Sequence, residues 1–139
     1  MAVCFFVPIF AAYLCIKFFY TTYMEWIKIS TPTALVRVQA DDIVFVKADG
    51  NYSDMYLFDG KPYTLTFQLH YFDEVFKKLR RNVFVRVGKS LIVNRNYINI
   101  VNIINQELRL NGQALRCEFQ LKASKEALKE LKGELEKGE

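Results

Sequence analysis

The sequence has few of the residues that metal sites, disulfide frameworks and most active sites require. Three cysteines, Cys4, Cys15 and Cys117, form no CxxC pair and no Cys/His cluster, so we expect neither a zinc site nor a disulfide framework. His70 is the only histidine. No Ser/His/Asp set, P-loop or GxGxxG motif is present. We therefore expect no enzymatic activity, no metal site and no cofactor.

Acidic residues are missing from a long central stretch, Val75 to Gln106. This stretch contains seven basic residues and no acidic one: Lys77, Lys78, Arg80, Arg81, Arg86, Lys89 and Arg95. The net charge of the whole chain is only +4, so the local asymmetry is more informative than the total. Basic residues with amide and hydroxyl donors between apolar anchors are typical of a surface that follows a phosphate backbone. This pattern predicts a nucleic-acid partner.

The most informative part of the basic stretch runs from Phe84 to Ile98. It begins as an alternating strand, breaks at Gly88, which is free to adopt positive φ, and continues as a second apolar run, Leu91–Val93. Polar donors follow the two strands: Lys89, Ser90, Asn94, Arg95 and Asn96. Hydrogen-bond donors are therefore predicted where an apolar scaffold turns.

This segment resembles the signature of the LytTR DNA-binding domain, the output module of many bacterial response regulators of the LytR/AlgR class. The matching residues are Phe84, Arg86, Ser90, Val93, Asn94 and Ile98, while Gly88 and Lys89 stand where the family usually has His and Arg. Two further motifs follow the family's order and spacing: Asp42–Tyr52, which ends in a Gly-Asn-Tyr turn, and Leu108–Leu115, which is similar to the last hairpin. The resemblance covers about residues 34–122.

The resemblance implies a transcription regulator that inserts loops at strand ends into successive major grooves of double-stranded DNA, with two copies on repeated half-sites. It also implies that a receiver domain is commonly attached, and we expect none here because 139 residues leave no room for one. The alternative function is a membrane-tethered β-rich interaction domain that binds protein or anionic lipid through its basic face.

Three loops carry the candidate DNA-binding residues: Asn51 and Ser53 in the first, Arg86, Lys89, Ser90, Asn94 and Arg95 around the second, and Gln120 and Lys122 in the third. We expect Lys89 to donate to guanine O6 or N7, and Arg95 to contact a phosphate. Ser90 is expected to hold a phosphate or to brace its loop. For Asn94, bracing and DNA contact are equally open. Phe119 precedes the third loop, where the family often has Arg.

The periodicity predicts a mainly β fold. The resemblance implies, more specifically, an elongated LytTR-like β sandwich of small antiparallel sheets. A short amphipathic helix is expected from Thr66 or Gln68 to about Leu79, and a C-terminal helix at 123–136. Asn111-Gly112 predicts a type I′ hairpin between strands at 108–110 and 113–119.

The apolar segment 1–24 is treated separately from the DNA-binding domain at 25–139, and Thr31-Pro32-Thr33 is expected to mark the boundary. Three interpretations remain open for this segment. It is a membrane anchor with the domain on the cytoplasmic side of the inner membrane, a gene-model extension before a true start at Met24, or a helix packed on the domain or a partner. We expect a cytoplasmic domain in each case.

Overall fold

The structure is a computed structural model that describes residues 25–112, 115 and 118–138. The interpretations of segment 1–24 fall outside the described residues, as does Cys117 in the strand expected at 113–119. No helix within the described ranges is long and apolar enough to cross a membrane. The chain divides after Ala40 into two compact units.

The first unit contains an antiparallel hairpin of β1 (Trp26–Ser30) and β2 (Leu35–Gln39). Buried and exposed side chains alternate along β1, as the period of a strand requires. Thr31 closes the turn, because its backbone N–H and its hydroxyl both donate to the Ala34 carbonyl, at 2.8 and 3.0 Å. Residues 31–33, the expected boundary, thus form a hairpin turn, and the division between units comes later.

In the described residues, the second unit contains a five-stranded antiparallel sheet with β3 at its centre. Its strands are β3 (Ile43–Asp49), β4 (Tyr52–Leu57), β5 (Pro62–Leu65), β6 (Phe84–Val87) and β7 (Leu91–Asn94), in the order β5-β4-β3-β7-β6. The run Ile43–Val46 is buried without alternation, which indicates that both faces of the central strand are covered. Helix α1 (Leu69–Lys77) packs on β3 and β7.

The other face of this sheet is covered by a three-stranded sheet and a C-terminal helix. These elements are β8 (Ile98–Asn102), β9 (Glu107–Leu110), β10 (Phe119–Lys122) and α2 (Lys125–Lys137). Leu108 of β9 and Leu128 of α2 belong to the same core cluster as Val44 and Val93 of the larger sheet. Ser124 caps α2, as its hydroxyl accepts a hydrogen bond from the Ala127 N–H at 3.2 Å. One apolar core therefore fixes the relative positions of the strands that carry the candidate loops.

The expected fold class is confirmed, because the described chain is mainly β with two helices. Helix α1 is shorter at both ends than expected. The prediction of a type I′ hairpin at Asn111-Gly112 is wrong. Such a turn would pair Leu110 with residue 113, whereas Leu110 pairs with Phe119 and residues 111–118 connect the two strands. The Asn111 N–H instead donates to the Tyr97 carbonyl, at 2.8 Å. This cross-strand hydrogen bond continues the pairing toward β8 and overrides the local turn signal.

Leu128→Ala tests the packing of α2 on the larger sheet. Leu128 is fully buried, at 0% exposure, so we expect a loss of about 2–5 kcal/mol in the free energy of unfolding. Leu135→Ala, two turns further along the same helix and half-buried, is the matched control and should cost roughly 1 kcal/mol. Urea unfolding followed by far-ultraviolet circular dichroism measures both. Equal losses would contradict the packing of α2 described above.

Candidate nucleic-acid interface

Three turns or strand ends meet at one end of the second unit, which we call the interface end. They are the β3–β4 turn at 49–51, the β6–β7 turn Gly88–Ser90, and the end of β10 at Lys122. Lys47 of β3 is paired with Leu91 of β7, and the Ala48 N–H donates to the Ser90 carbonyl at 2.8 Å, which places the first two turns side by side. A groove of about 420 Å³ is lined by residues of the second and third, among them Gly88, Lys89, Ser90, Lys122 and Ser124. Parts of all three sequence segments predicted to contact DNA are therefore neighbours in space.

The turn Gly88–Ser90, which we call the Gly88 turn, is held by one arginine. Gly88 has a φ of 69°, in the left-handed region that favours glycine, as its place in the sequence predicted. The Arg86 Nε donates to the Gly88 carbonyl at 3.2 Å, and its Nη2 donates to the Lys89 carbonyl at 2.9 Å. Its Nη1 forms an ion pair with Asp73 on α1. The planar guanidinium thus fastens the backbone of the turn to the helix beneath it.

Lys89 and Ser90 are both exposed on the Gly88 turn. Because Arg86 holds the Lys89 carbonyl, the backbone of Lys89 is fixed while its side chain remains accessible. Asn51 is also exposed, directly after Gly50, whose φ is 63°. Tyr52 is 51% exposed at the beginning of β4. The interface end therefore presents a cation, a hydroxyl and an amide on turns with defined backbone geometry.

Gln120 and Lys122 belong to β10, so they lie on and at the end of a strand, where the sequence predicted a loop. Both side chains are exposed. Lys122 lines the same groove as Lys89, which puts two ammonium groups at the interface end. Glu126 and Glu130 of α2 line this groove as well, so it contains two carboxylates in addition to the two ammonium groups.

Ser53 and Asn94 are fully buried, at 0% exposure, and both are engaged inside the fold. The Ser53 hydroxyl donates to the Phe67 carbonyl at 2.7 Å. The Asn94 amide donates to the Ile43 carbonyl at 2.9 Å, and its side-chain oxygen accepts from the Asn96 N–H at 3.0 Å. These bonds support the bracing role for Asn94. Contact with DNA by either residue would require a buried, satisfied polar group to leave its partners.

Arg95 lies away from the interface end, although the sequence grouped it with Lys89 and Ser90. The strand β7 separates them, and at ~3.3 Å per residue Arg95 is roughly 15 Å from Ser90. The Arg95 N–H donates to the Val83 carbonyl at 2.8 Å, at the beginning of β6. Its side chain lines a different groove, of about 630 Å³, together with Lys132 and Glu136 of α2. The grouping of Arg95 with the Gly88 turn is therefore wrong.

The basic stretch between Val75 and Gln106 is thus divided between two ends of the second unit. Lys77 closes α1, and Lys78, Arg80 and Arg81 follow it on the way to Val83, the end where Arg95 lies. The sequence analysis did not predict the two glutamates in the groove at the interface end, nor the aspartate that pairs with Arg86. The i, i+4 spacing of Glu126 and Glu130 on the predicted helix could have indicated a shared face. No sequence signal distinguishes Asp73 as the partner of Arg86.

Comparison with known proteins identifies the family of the chain. The family model of the LytTr DNA-binding domain matches residues 33–136. The chain belongs to this family. A solved structure, the LytTr DNA-binding domain of a Bacillus cereus protein, superposes with a TM-score of 0.58 at 16% sequence identity, covering 79% of this chain and 95% of that one. No curated protein matches the chain.

Family membership confirms the resemblance drawn from the residues around Phe84–Ile98. The LytTr domain is a DNA-binding domain, so the chain is a DNA-binding regulator. The similar solved structure shows the same fold. The matched family is a DNA-binding family and not an enzyme family.

Arg86→Ala tests whether Arg86 holds the Gly88 turn. Without the guanidinium the two carbonyls lose their charged donor, so we expect the backbone order parameters of Gly88 and Lys89 to fall from about 0.85 to below about 0.6. Lys89→Ala is the control, because it removes an exposed cation from the same turn and leaves the Arg86 bonds in place. ¹⁵N relaxation of the DNA-free chain measures both. Order parameters that stay high in Arg86→Ala would show that the turn is rigid without its brace.

Proposed function

We propose that the chain is a sequence-specific transcription regulator that contacts the major groove of double-stranded DNA through its interface end. The contacting residues in this proposal are Asn51, Lys89, Ser90, Gln120 and Lys122. The observation that carries it is the Gly88 turn, where Arg86 fixes the backbone and leaves Lys89 exposed beside Lys122. The proposal follows from the described DNA-binding role of the family together with the positions of these side chains.

The division of labour follows from the chemistry of each side chain. Lys89 stands on a rigid, protruding turn, and a long cation in the major groove donates to guanine O6 or N7. Lys122 and Ser90 supply a cation and a hydroxyl of the kinds that hold phosphates and set the register on the duplex. Asn51 adds an amide on the neighbouring turn. Specificity is therefore assigned to Lys89 and general affinity to the groups around it.

Three of the residues predicted from sequence take supporting roles in this proposal. Arg86 holds the Gly88 turn through two carbonyls, while Ser53 and Asn94 tie β4 and β7 to their neighbours. A base-contacting side chain must be held within a fraction of an ångström of its productive position, and such bonds provide that support. Family membership also favours DNA over the alternative partner, protein or anionic lipid.

The proposal includes two copies of the domain on repeated half-sites, in the cytoplasm where the DNA is found. A single copy with a few side chains on one end reads a short sequence. Linking two such contacts through adjacent sites on one duplex raises the effective affinity without any new contact within a half-site.

Lys89→Ala tests the proposed base contact. We expect it to relax the preference at particular base pairs and to cost about 1–3 kcal/mol on the best site, with smaller losses on other duplexes. Arg95→Ala is the matched control, because it removes an exposed cation at the other end of β7 and should leave the selected sequence and the affinity nearly unchanged. Selection from a pool of random duplexes, followed by affinity measurements at several salt concentrations, compares them.

Two results would count against the assignment. If Lys89→Ala selects the same sequence as the unmodified chain and only lowers the salt dependence, Lys89 is a phosphate contact. If Arg95→Ala changes the selected sequence, the interface extends to the opposite end of β7.

A further inference from the structure

We propose that the turn between β8 and β9, residues 103–106, is a fourth DNA-contacting element, in which Ile104 packs against the C5-methyl group of a thymine. This inference rests on the proposed function, because it extends the interface end by one turn. The candidate residues derived from the sequence do not include it.

Ile104 is held outward by a well-formed turn. Its side chain is 86% exposed, the most of any large apolar residue that the structure describes. The Asn105 N–H donates to the Asn102 side-chain oxygen at 3.1 Å, and the Gln106 N–H donates to the Ile103 carbonyl at 3.3 Å. Gln106 closes the turn with a φ of 53°, in the left-handed region. The hydrogen bonds fix the backbone on both sides of Ile104 and keep it away from the core.

This turn adjoins the interface end through the segment that leads from β10 to α2. Glu107 is paired with Lys122 across the smaller sheet, and the Gln106 carbonyl accepts from the Ala123 N–H at 3.2 Å. Lys122 and Ala123 in turn line the groove that contains Lys89 and Ser90. The turn 103–106 is therefore the next neighbour of the third predicted loop, at the same end of the domain.

The chemistry of the turn fits an A·T base pair in the major groove. A single exposed apolar side chain needs no explanation in general, but this one lies on a turn whose Gln106 is hydrogen-bonded to Ala123, the residue after the exposed Lys122. In the major groove thymine presents a methyl group, which apolar side chains contact. Asn105 and Gln106 are exposed next to Ile104, and such amides pair with N6 and N7 of adenine. An apolar group followed by two amides thus matches both bases of one pair.

The test replaces thymine with uracil, which removes only the C5-methyl group. The full chain first selects its preferred duplex from a random pool, and each thymine of that duplex is then replaced in turn. We expect one replacement to weaken binding by the unmodified chain roughly fourfold, the effect of losing one buried methyl group. Ile104→Ala should bind the thymine duplex about as weakly and should be indifferent to that replacement.

Ile100→Ala is the matched control, because Ile100 is 43% exposed on β8 and lies outside the turn. It should keep the full response to uracil. A chain that binds its selected duplex but shows no uracil effect, or shows the same effect in Ile104→Ala, overturns the Ile104 contact alone. A chain that selects no duplex overturns the proposed function and this inference with it. Circular dichroism of both variants confirms that the fold is retained.

Discussion

The interface end depends on the guanidinium of Arg86. A turn with a glycine at positive φ has many alternative backbone states, and its lysine would sample them all if nothing held it. Arg86 removes this freedom, because it binds two carbonyls of the turn and one carboxylate on α1 at the same time. Arginine suits this position better than lysine, since its rigid fork presents several donors in fixed directions.

The brace is effective only because the elements on both sides of it are themselves fixed. Helix α1 is anchored by Leu69, Phe72 and Phe76, all buried, and the Phe76 ring stacks on Phe84 with centroids 3.9 Å apart. Asp73 projects from this anchored helix toward Arg86. Asn94 at the end of β7 links that strand to β3, so the strand that follows the turn is also held. The aromatic contacts of α1 and the hydrogen bond of Asn94 therefore both help to fix the elements that hold the Gly88 turn.

The sequence was sufficient for the fold class, the family and the turn at Gly88, and it was less informative about which residues face outward. Strand alternation and apolar spacing are local signals, and they located both helices and the two strands on either side of Gly88. The exposure of polar residues depends on partners far along the chain, as for Ser53 with Phe67 and Asn94 with Ile43. Arg95 illustrates the same limit. It is close to Ser90 in sequence, and a four-residue strand places it at the other end of the sheet.

The positions of the charged residues distinguish two possible contributions to DNA binding, attraction to phosphates and contact with bases, which cannot be told apart along the sequence. Read along the chain, the basic residues from Val75 to Gln106 look like one continuous phosphate-binding surface. In the fold, Lys89 stands apart from Lys77, Lys78, Arg80, Arg81 and Arg95, and its charged neighbours at the interface end include Glu126 and Glu130. Carboxylates near the groove weaken nonspecific attraction to phosphates, whereas the proposed hydrogen bond from Lys89 to a base edge is short-ranged and depends on direction. If DNA binds as proposed, an interface with few cations and a braced turn therefore gains more of its sequence discrimination from geometry than from charge.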